Sequence, residues 1–266
     1  MTKEWTSEWS LVLGASSGFG AATAKELAKH GSHVFGVHLD RRQALPQVES
    51  VVREVEAAGQ QARFFNINVS DAGKRAAAIA EMAAVTARPL RVVLHSIAFG
   101  TTGLGFVPGA DGRALTQQQI EMTLDTMANS LVYWAQDLLR AGLIGAGTRV
   151  YGMTSAGNQR VIPGYGAVSA AKSVLESHLR QLAVELAPLG ATANAIQAGV
   201  TDTPALAKIP GSDRLRDFAR VANPSGRMTT PEDVARAIVA LSRDGTEWLT
   251  GNVIRVDGGE DLVITP

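Results

Sequence analysis

The sequence predicts a single α/β domain with a doubly wound, seven-stranded parallel sheet and helices on both faces. Three observations lead there. Short apolar runs alternate with longer stretches of helical periodicity along all 266 residues, the order expected of parallel strands joined by crossover helices. A glycine-rich turn, Gly14-Ala-Ser-Ser-Gly18-Phe-Gly20, follows the first apolar run and precedes the first helical stretch. No internal repeat, low-complexity tract or linker divides the chain, so residues 1–266 read as one domain.

The strands are predicted at 11–13, 34–37, 64–67, 92–94, 150–151, 193–196 and 253–256, all short and apolar. Helices are predicted at 21–30, 44–58, 73–87, 117–141, 166–187 and 232–242. Gly31 stands where a helix C-terminal glycine belongs. Thr230-Pro231-Glu232-Asp233 supplies a cap, an N1 proline and two first-turn acids. Right-handed crossovers then give the Rossmann arrangement. Two segments break the alternation, 99–112 and 201–224, and both follow predicted strand C-termini, where open α/β sheets bind ligands. The second contains Pro204, Pro210, Gly211 and Pro224 and is expected to be an irregular substrate lid.

Composition excludes several classes of function. Lys and Arg (25) balance Asp and Glu (25), so no global positive field favours nucleic acid or a membrane surface. The absence of cysteine removes disulfides, thiolate nucleophiles and Cys-ligated metals, and no metal site is expected. No apolar run reaches the ~18 residues of a membrane span. The first ten residues carry Lys3, Glu4 and Glu8 rather than the apolar centre of a secretion signal, so a cytoplasmic protein is expected.

The glycine turn carries the cofactor expectation. Gly14, Gly18 and Gly20 permit a tight turn and close backbone approach to a pyrophosphate, with Ser16, Ser17 and Phe19 between them and a helix N-terminus behind. At the end of strand two, an acid would bind a ribose 2′-hydroxyl and a base a 2′-phosphate. The chain offers both: Asp40 argues for NAD, Arg41 and Arg42 for NADP, and His38 stands about where the selecting acid belongs. NADP(H) is favoured, with NAD(H) as the alternative; the same side chains could also simply solvate a helix start. Asn68 and Val69 end strand three, where they border an adenine or form a plain turn. Ser96, Ile97 and Ala98 extend strand four along the cofactor ribose, and His95 reads as structural.

Tyr165 and Lys172 carry the chemistry. Seven residues make nearly two helical turns, which places both on one face about 10 Å apart along the axis. Pro163-Gly164 favours a helix start at Tyr165. A lysine in the apolar context Gly166-Ala-Val-Ser-Ala-Ala171 needs a partner for its ammonium, and ribose hydroxyls would serve.

These features resemble the short-chain dehydrogenase/reductase family over almost the whole chain. The resemblance rests on Gly14-x3-Gly18-x-Gly20, the Tyr165/Lys172 helix, Pro231-Glu-Asp-Val234 and the segment from Leu249 to Gly259. The common family member has Tyr-x3-Lys, whereas here Val168 stands four residues before Lys172. Tyr-x6-Lys is the arrangement of the enoyl-acyl-carrier-protein reductases, FabI-like and FabL-like. Leu94-His-Ser-Ile-Ala-Phe99, Arg160-Val-Ile-Pro-Gly-Tyr165 and Ala198-Gly-Val-Thr-Asp-Thr203 also look like that branch, and the glycine turn is most similar to its NADPH-dependent FabL type. Carbonyl-reducing members keep a serine thirteen residues before the tyrosine, where this chain has Gly152. Their proton-relay asparagine falls near Met127, and Ser155 stands where many enoyl reductases have a second aromatic.

The resemblance implies hydride transfer to the β-carbon of a trans-2-enoyl thioester carried on acyl carrier protein or coenzyme A, as in fatty acid synthesis. It implies Tyr165 as hydrogen-bond donor to the thioester oxygen and Lys172 as anchor of the nicotinamide ribose. Gly199, Val200 and Thr203 would hold the carboxamide, and Phe99, Ser155, Leu206 and Ile209 would line the acyl pocket. A homotetramer built on the helices at 117–141 and 166–187 is implied too. Two alternatives remain at this stage: a carbonyl, 3-oxoacyl or hydroxysteroid-type reductase, and a non-catalytic dinucleotide sensor.

Overall fold

A computed structural model of the chain describes residues 4–209 and 211–262. Pro210, one of the residues of the expected lid, lies outside the described residues, as does Lys3. The strands are β1 (Trp9–Leu13), β2 (His33–His38), β3 (Ala62–Asn66), β4 (Val92–His95), β5 (Arg149–Ser155), β6 (Thr192–Ala198) and β7 (Val253–Val256). They form one sheet in the order β3-β2-β1-β4-β5-β6-β7, every neighbouring pair parallel. The predicted fold class is therefore the observed one. The order runs outward in both directions from β1 and β4, and this switch point opens a crevice at the strand C-termini.

Strand alternation feeds two cores. Leu11, Leu13, Phe35, Val93 and Val150 face one layer, together with Met82 of α3 (Ala72–Val85), Trp134 of α5 (Ser130–Arg140) and Leu175 of α6 (Gly166–Leu186). Val12, Val34, Val92, Leu94, Tyr151 and Ile196 face the other. There they meet Leu27 of α1 (Gly18–Lys29), Val51 of α2 (Leu45–Ala57) and Ile238 of α8 (Pro231–Ala240). Adjacent strand residues point to opposite faces, so buried strands read as unbroken apolar runs. Local signals hold as well: Gly31 adopts φ 102 after α1, and Thr230 and Asp233 close a reciprocal capping box on α8.

Two elements differ from expectation. The helix predicted over 117–141 is interrupted: α4 (Gln117–Leu124) and α5 are joined by a π-wound turn, Asp125–Asn129. Periodicity does not reveal such a turn, because one inserted residue rotates the apolar face without breaking it. The segment expected as an irregular lid contains a short 3₁₀ turn, Leu206–Lys208, and the helix α7 (Ser212–Ala222). The N-terminal end of the sheet holds buried charge that is structural. Arg91 donates to Ser242 O and Asp244 and lies over the Trp5 ring, while Arg149 donates to Glu247. No described helix is long and apolar enough to cross a membrane.

Trp134 is fully buried between α3 and the sheet, and its indole N–H donates to Val69 O at 3.0 Å. Trp134→Ala is expected to cost about 3–5 kcal/mol in urea unfolding, the usual range for deleting a buried tryptophan. A loss below about 1 kcal/mol would mean this layer collapses around the cavity.

Candidate active site

The strand ends converge. Register pairs Leu13 with Val37 and His95, His95 with Gly152, and Ser155 with Ala198, so the glycine turn, the β4 end and the β5 end form one rim. Gly14 has φ 92, and a Cβ there would lie 2.2 Å from Ser96 O. A Cβ on Gly20 would lie 2.0 Å from Gly14 O. The turn thus folds onto itself and onto β4, which is why glycine is required at both positions. Gly18 opens α1. Ser17, its N-cap, makes no side-chain cap, and no acid stands in the first turn, so the leading N–H groups point outward unengaged by side chains. Ser16 and Phe19 complete the turn, Phe19 packing partly into the core below. Thr203 lies over Gly18, its Cγ2 3.4 Å from where a Cβ would sit, and its hydroxyl accepts from Leu206 N–H.

At the end of β2, His38 is buried and its Nδ1 lies 3.0 Å from Asp40 Oδ2. Asn66 clasps the Asp40 backbone from both sides, donating to its C=O and accepting from its N–H. Arg41 and Arg42 are exposed and form no ion pair among the described residues. Asn68 is exposed and its side chain accepts from Ser70 N–H. Val69 is committed to the core, its side chain buried and its C=O accepting from Trp134 Nε1. Gly199 is crowded by Thr229, Glu260 and Asp257. The Val200 N–H donates to the Glu260 carboxylate at 3.1 Å.

Tyr165 is the N-cap of α6 and Lys172 stands two turns further on, both buried on the same face. Lys172 Nζ donates to Met153 O at 2.7 Å and to Ile97 O at 3.4 Å. Burial lowers its pKa to about 8, and Glu176 opposes that shift. An ammonium carries three N–H groups and two are used, so one donor remains for a ligand at the rim. The Tyr165 phenol is pushed up by burial, with the adjacent Ser155 hydroxyl acting in the opposite direction, so the phenol keeps its proton at neutral pH. Ser155 Oγ is itself buried and holds no hydrogen bond. Tyr165, Met127, Val168 and Ala171 form a small apolar cluster joined by Ile97, Leu124, Ile162 and Ile209. Among the expected acyl-pocket residues, Ile209 and Ser155 thus lie beside Tyr165, Leu206 is buried in the 3₁₀ turn and Phe99 is exposed. Met127, Leu124 and Ile162 escaped the sequence reading, Met127 because only the π turn brings it against Tyr165.

His95 is fully buried, with Nε2 2.8 Å from Ser130 Oγ, which in turn donates to Thr126 O inside the π turn. Ser130 spends its proton on Thr126, so His95 carries its proton on Nε2. Burial, reinforced by Lys172, lowers the imidazole to about 3, so it stays neutral. His95 is structural, as its sequence context suggested. No group of three or more His, Cys, Asp or Glu among the described residues could hold a metal ion.

The turn's geometry makes a direct test. Gly14→Ala would drive a Cβ into the Ser96 carbonyl at a left-handed φ, and it is expected to lower stability by more than about 2 kcal/mol. Thermal unfolding checks this; a melting point within a degree of wild type would show that the turn can relax.

Comparison with known proteins gives the family. The family model described as Enoyl-(Acyl carrier protein) reductase matches residues 14–260. The "Uncharacterized oxidoreductase YjdA" of Bacillus subtilis is 31% identical over 253 residues, covering 94% of this chain and 95% of that one. The 1-cyclohexenylcarbonyl-CoA reductase of Streptomyces collinus is 29% identical over 259 residues, covering 97% and 88%. Among solved structures, a short chain dehydrogenase from Burkholderia cenocepacia in complex with NADP superposes with a TM-score of 0.83 at 25% identity, covering 97% and 99%. With its parallel sheet, glycine turn and buried Tyr165/Lys172 pair, the chain belongs to the short-chain dehydrogenase/reductase family of oxidoreductases, in the group whose model bears the enoyl-(acyl carrier protein) reductase description.

Proposed function

We propose that the protein reduces the C2=C3 double bond of a trans-2-enoyl thioester, using NADPH in preference to NADH. The observation that carries the reading is the placement of Tyr165 at the N-cap of α6, two turns from Lys172 on one buried face. The phenol is set back one helical turn from the Tyr-x3-Lys position, which here is Val168. A conjugated substrate needs that displacement, because the oxygen that gains charge lies three bonds from the carbon that accepts hydride, against one bond in a carbonyl.

The bound coenzyme supplies the hydride; the chain supplies the rest. The outward N–H groups of the Gly18 turn suit a pyrophosphate. The free donor of Lys172 would suit a ribose hydroxyl and so help to orient the coenzyme. Tyr165 O–H would donate to the thioester oxygen as it becomes an enolate, a contact that strengthens as charge develops, and collapse of the enolate with a proton taken up from solvent at C2 completes the saturated thioester. The apolar cluster of Met127, Val168, Ile162 and Ile209 would exclude water from the acyl chain beside it. Met127 stands where carbonyl reductases carry their relay asparagine, so this site offers no such side chain to reload the phenol. Arg41 and Arg42 are unpaired, and Asp40 is already engaged by His38; both favour a 2′-phosphate. The same reading takes the thioester on acyl carrier protein or coenzyme A, in the cytoplasm. It also takes four copies associating through α4–α5 and α6, which expose Leu139 and Val184.

One observation favours a second reading. Ser155 places an uncommitted hydroxyl beside the Tyr165 phenol, and two hydroxyls could polarise a ketone oxygen together. Loss of coenzyme absorbance with crotonyl-CoA, beside acetoacetyl-CoA as the keto control, separates the two. Oxidation with the enoyl substrate is expected; activity with the keto substrate alone would overturn the proposal.

Three outcomes follow from the geometry. Tyr165→Phe should lower turnover by about a hundredfold or more, the scale of one oxyanion donor, and leave NADPH binding within about twofold. Arg41→Ala with Arg42→Ala should raise the KM for NADPH about tenfold and leave that for NADH unchanged, since one charge-assisted contact is worth ~1.4 kcal/mol or more. NADPH affinity should be flat through neutral pH and fall above the Lys172 value of about 8, because the charged donor is lost there. A profile flat to pH 10 would contradict the role given to Lys172.

A further inference from the structure

Glu176 is a buried carboxylate that the chemistry described above leaves unused. It stands one turn beyond Lys172 on the buried face of α6. Its Oε1 accepts two hydrogen bonds, from Thr154 Oγ1 at 2.6 Å and from Asn158 Nδ2 at 2.5 Å. Both donors belong to the wall of the site. Thr154 lies between Met153, whose carbonyl holds Lys172, and Ser155, which adjoins the phenol. Asn158 ends the 3₁₀ turn Ala156–Asn158, whose Gly157 lies under the Tyr165 ring: a Cβ there would meet Cε1 at 2.8 Å. Asn158 keeps this orientation although its own Oδ1 is buried and unpartnered. A flipped amide would set oxygen against carboxylate, so the amide must donate.

The charges around Lys172 are few. From β4 comes His95, held neutral by burial. From β4 and β5 come the carbonyls of Ile97 and Met153. From the π turn, Asp125 accepts from Tyr133, and Asn129 Oδ1 accepts from His178 Nε2 of α6. From α6 itself come Tyr165, which keeps its proton, and Glu176. The carboxylate is thus the nearest negative charge on the helix that carries the lysine, and burial makes it count.

We propose that Glu176 is the positioning residue for Lys172: fixed by Thr154 and Asn158, it ties the end of β5, whose Met153 carbonyl receives the ammonium, beneath Tyr165. The proposal rests on the reading that Lys172 binds a nicotinamide coenzyme. A carboxylate one helical turn from a buried ammonium favours its charged form, so removing it lets the lysine lose its proton at lower pH.

The test measures NADPH and NADH dissociation constants by coenzyme fluorescence from neutral to alkaline pH, with melting points, for wild type, Glu176→Asp and Glu176→Gln. The alkaline fall in affinity is expected about one pH unit lower in Glu176→Gln, the usual effect of deleting one close opposite charge. Glu176→Asp, which keeps the charge but cannot reach both donors, should fall between the two. A purely structural carboxylate would lower the melting point and leave the alkaline fall where it is in wild type. That result, in whichever variant folds, overturns the proposal while leaving the coenzyme reading intact. Wild-type protein that binds neither coenzyme overturns the coenzyme reading, and this proposal with it.

Discussion

Burying the Lys172 ammonium at the end of a parallel sheet constrains everything around it. Such a charge is tolerated only where acceptors surround it, and the strand ends supply two carbonyls, Met153 O and Ile97 O. Those carbonyls are available because β4 ends at His95, opposite Gly152, while β5 runs on to Ser155, so that Met153 lies beyond the last β4 pair. Gly152 matters in turn, because α6 lies so close to β5 that a Cβ there would meet Leu179 at 2.8 Å and Leu175 at 3.3 Å. The residue that carbonyl-reducing relatives would fill with serine is here a packing glycine. A side chain at residue 152 would therefore require the α6 leucines that pack over β5 to shift.

The π turn solves a second problem on the opposite wall. Widening one turn of a helix leaves a carbonyl short of its usual partner. Ser130 satisfies Thr126 O, and His95 satisfies Ser130, so the strand that holds Lys172 is tied to the helix that carries Met127. The same wide turn brings Met127 against Tyr165, and it points Asn129 away toward His178. An asparagine two positions along could not serve the site, since its amide is committed on another face of the helix.

The parallel sheet and its seven strands were legible because their signals are local; the strand order was not, since it depends on which distant strands pair. Unbroken apolar runs mark strands buried on both faces, and glycines mark places where backbones touch. Tyr165 and Lys172 were legible because helical spacing fixes their relative direction. What was not legible depends on contacts between distant segments. Nothing near Val69 announces that its side chain belongs to the core, because Trp134, which holds its carbonyl, lies 65 residues away. Glu176 reads as an ordinary helix acid until Thr154 and Asn158 fold onto it. The helix α7 was hidden by the prolines and glycine that flank it. Nor does the string show that the Val200 N–H meets Glu260, which approaches from 60 residues away.

The β2 end shows how such contacts bear on the proposed coenzyme preference. Asp40, Arg41 and Arg42 read in opposite directions as a string, since an acid and two bases attract different sugars. In three dimensions they are not equivalent. Asn66 fixes the Asp40 backbone, which turns its carboxylate back toward the buried His38 ring. An acid already sharing a hydrogen bond with an imidazole is a weaker acceptor for a ribose hydroxyl than a free one. The arginines have no such partner, so their full positive field faces the solvent where an incoming phosphate would arrive. On the NADPH reading proposed above, selectivity at this edge would be set less by which residues are present than by which of them the fold has already satisfied.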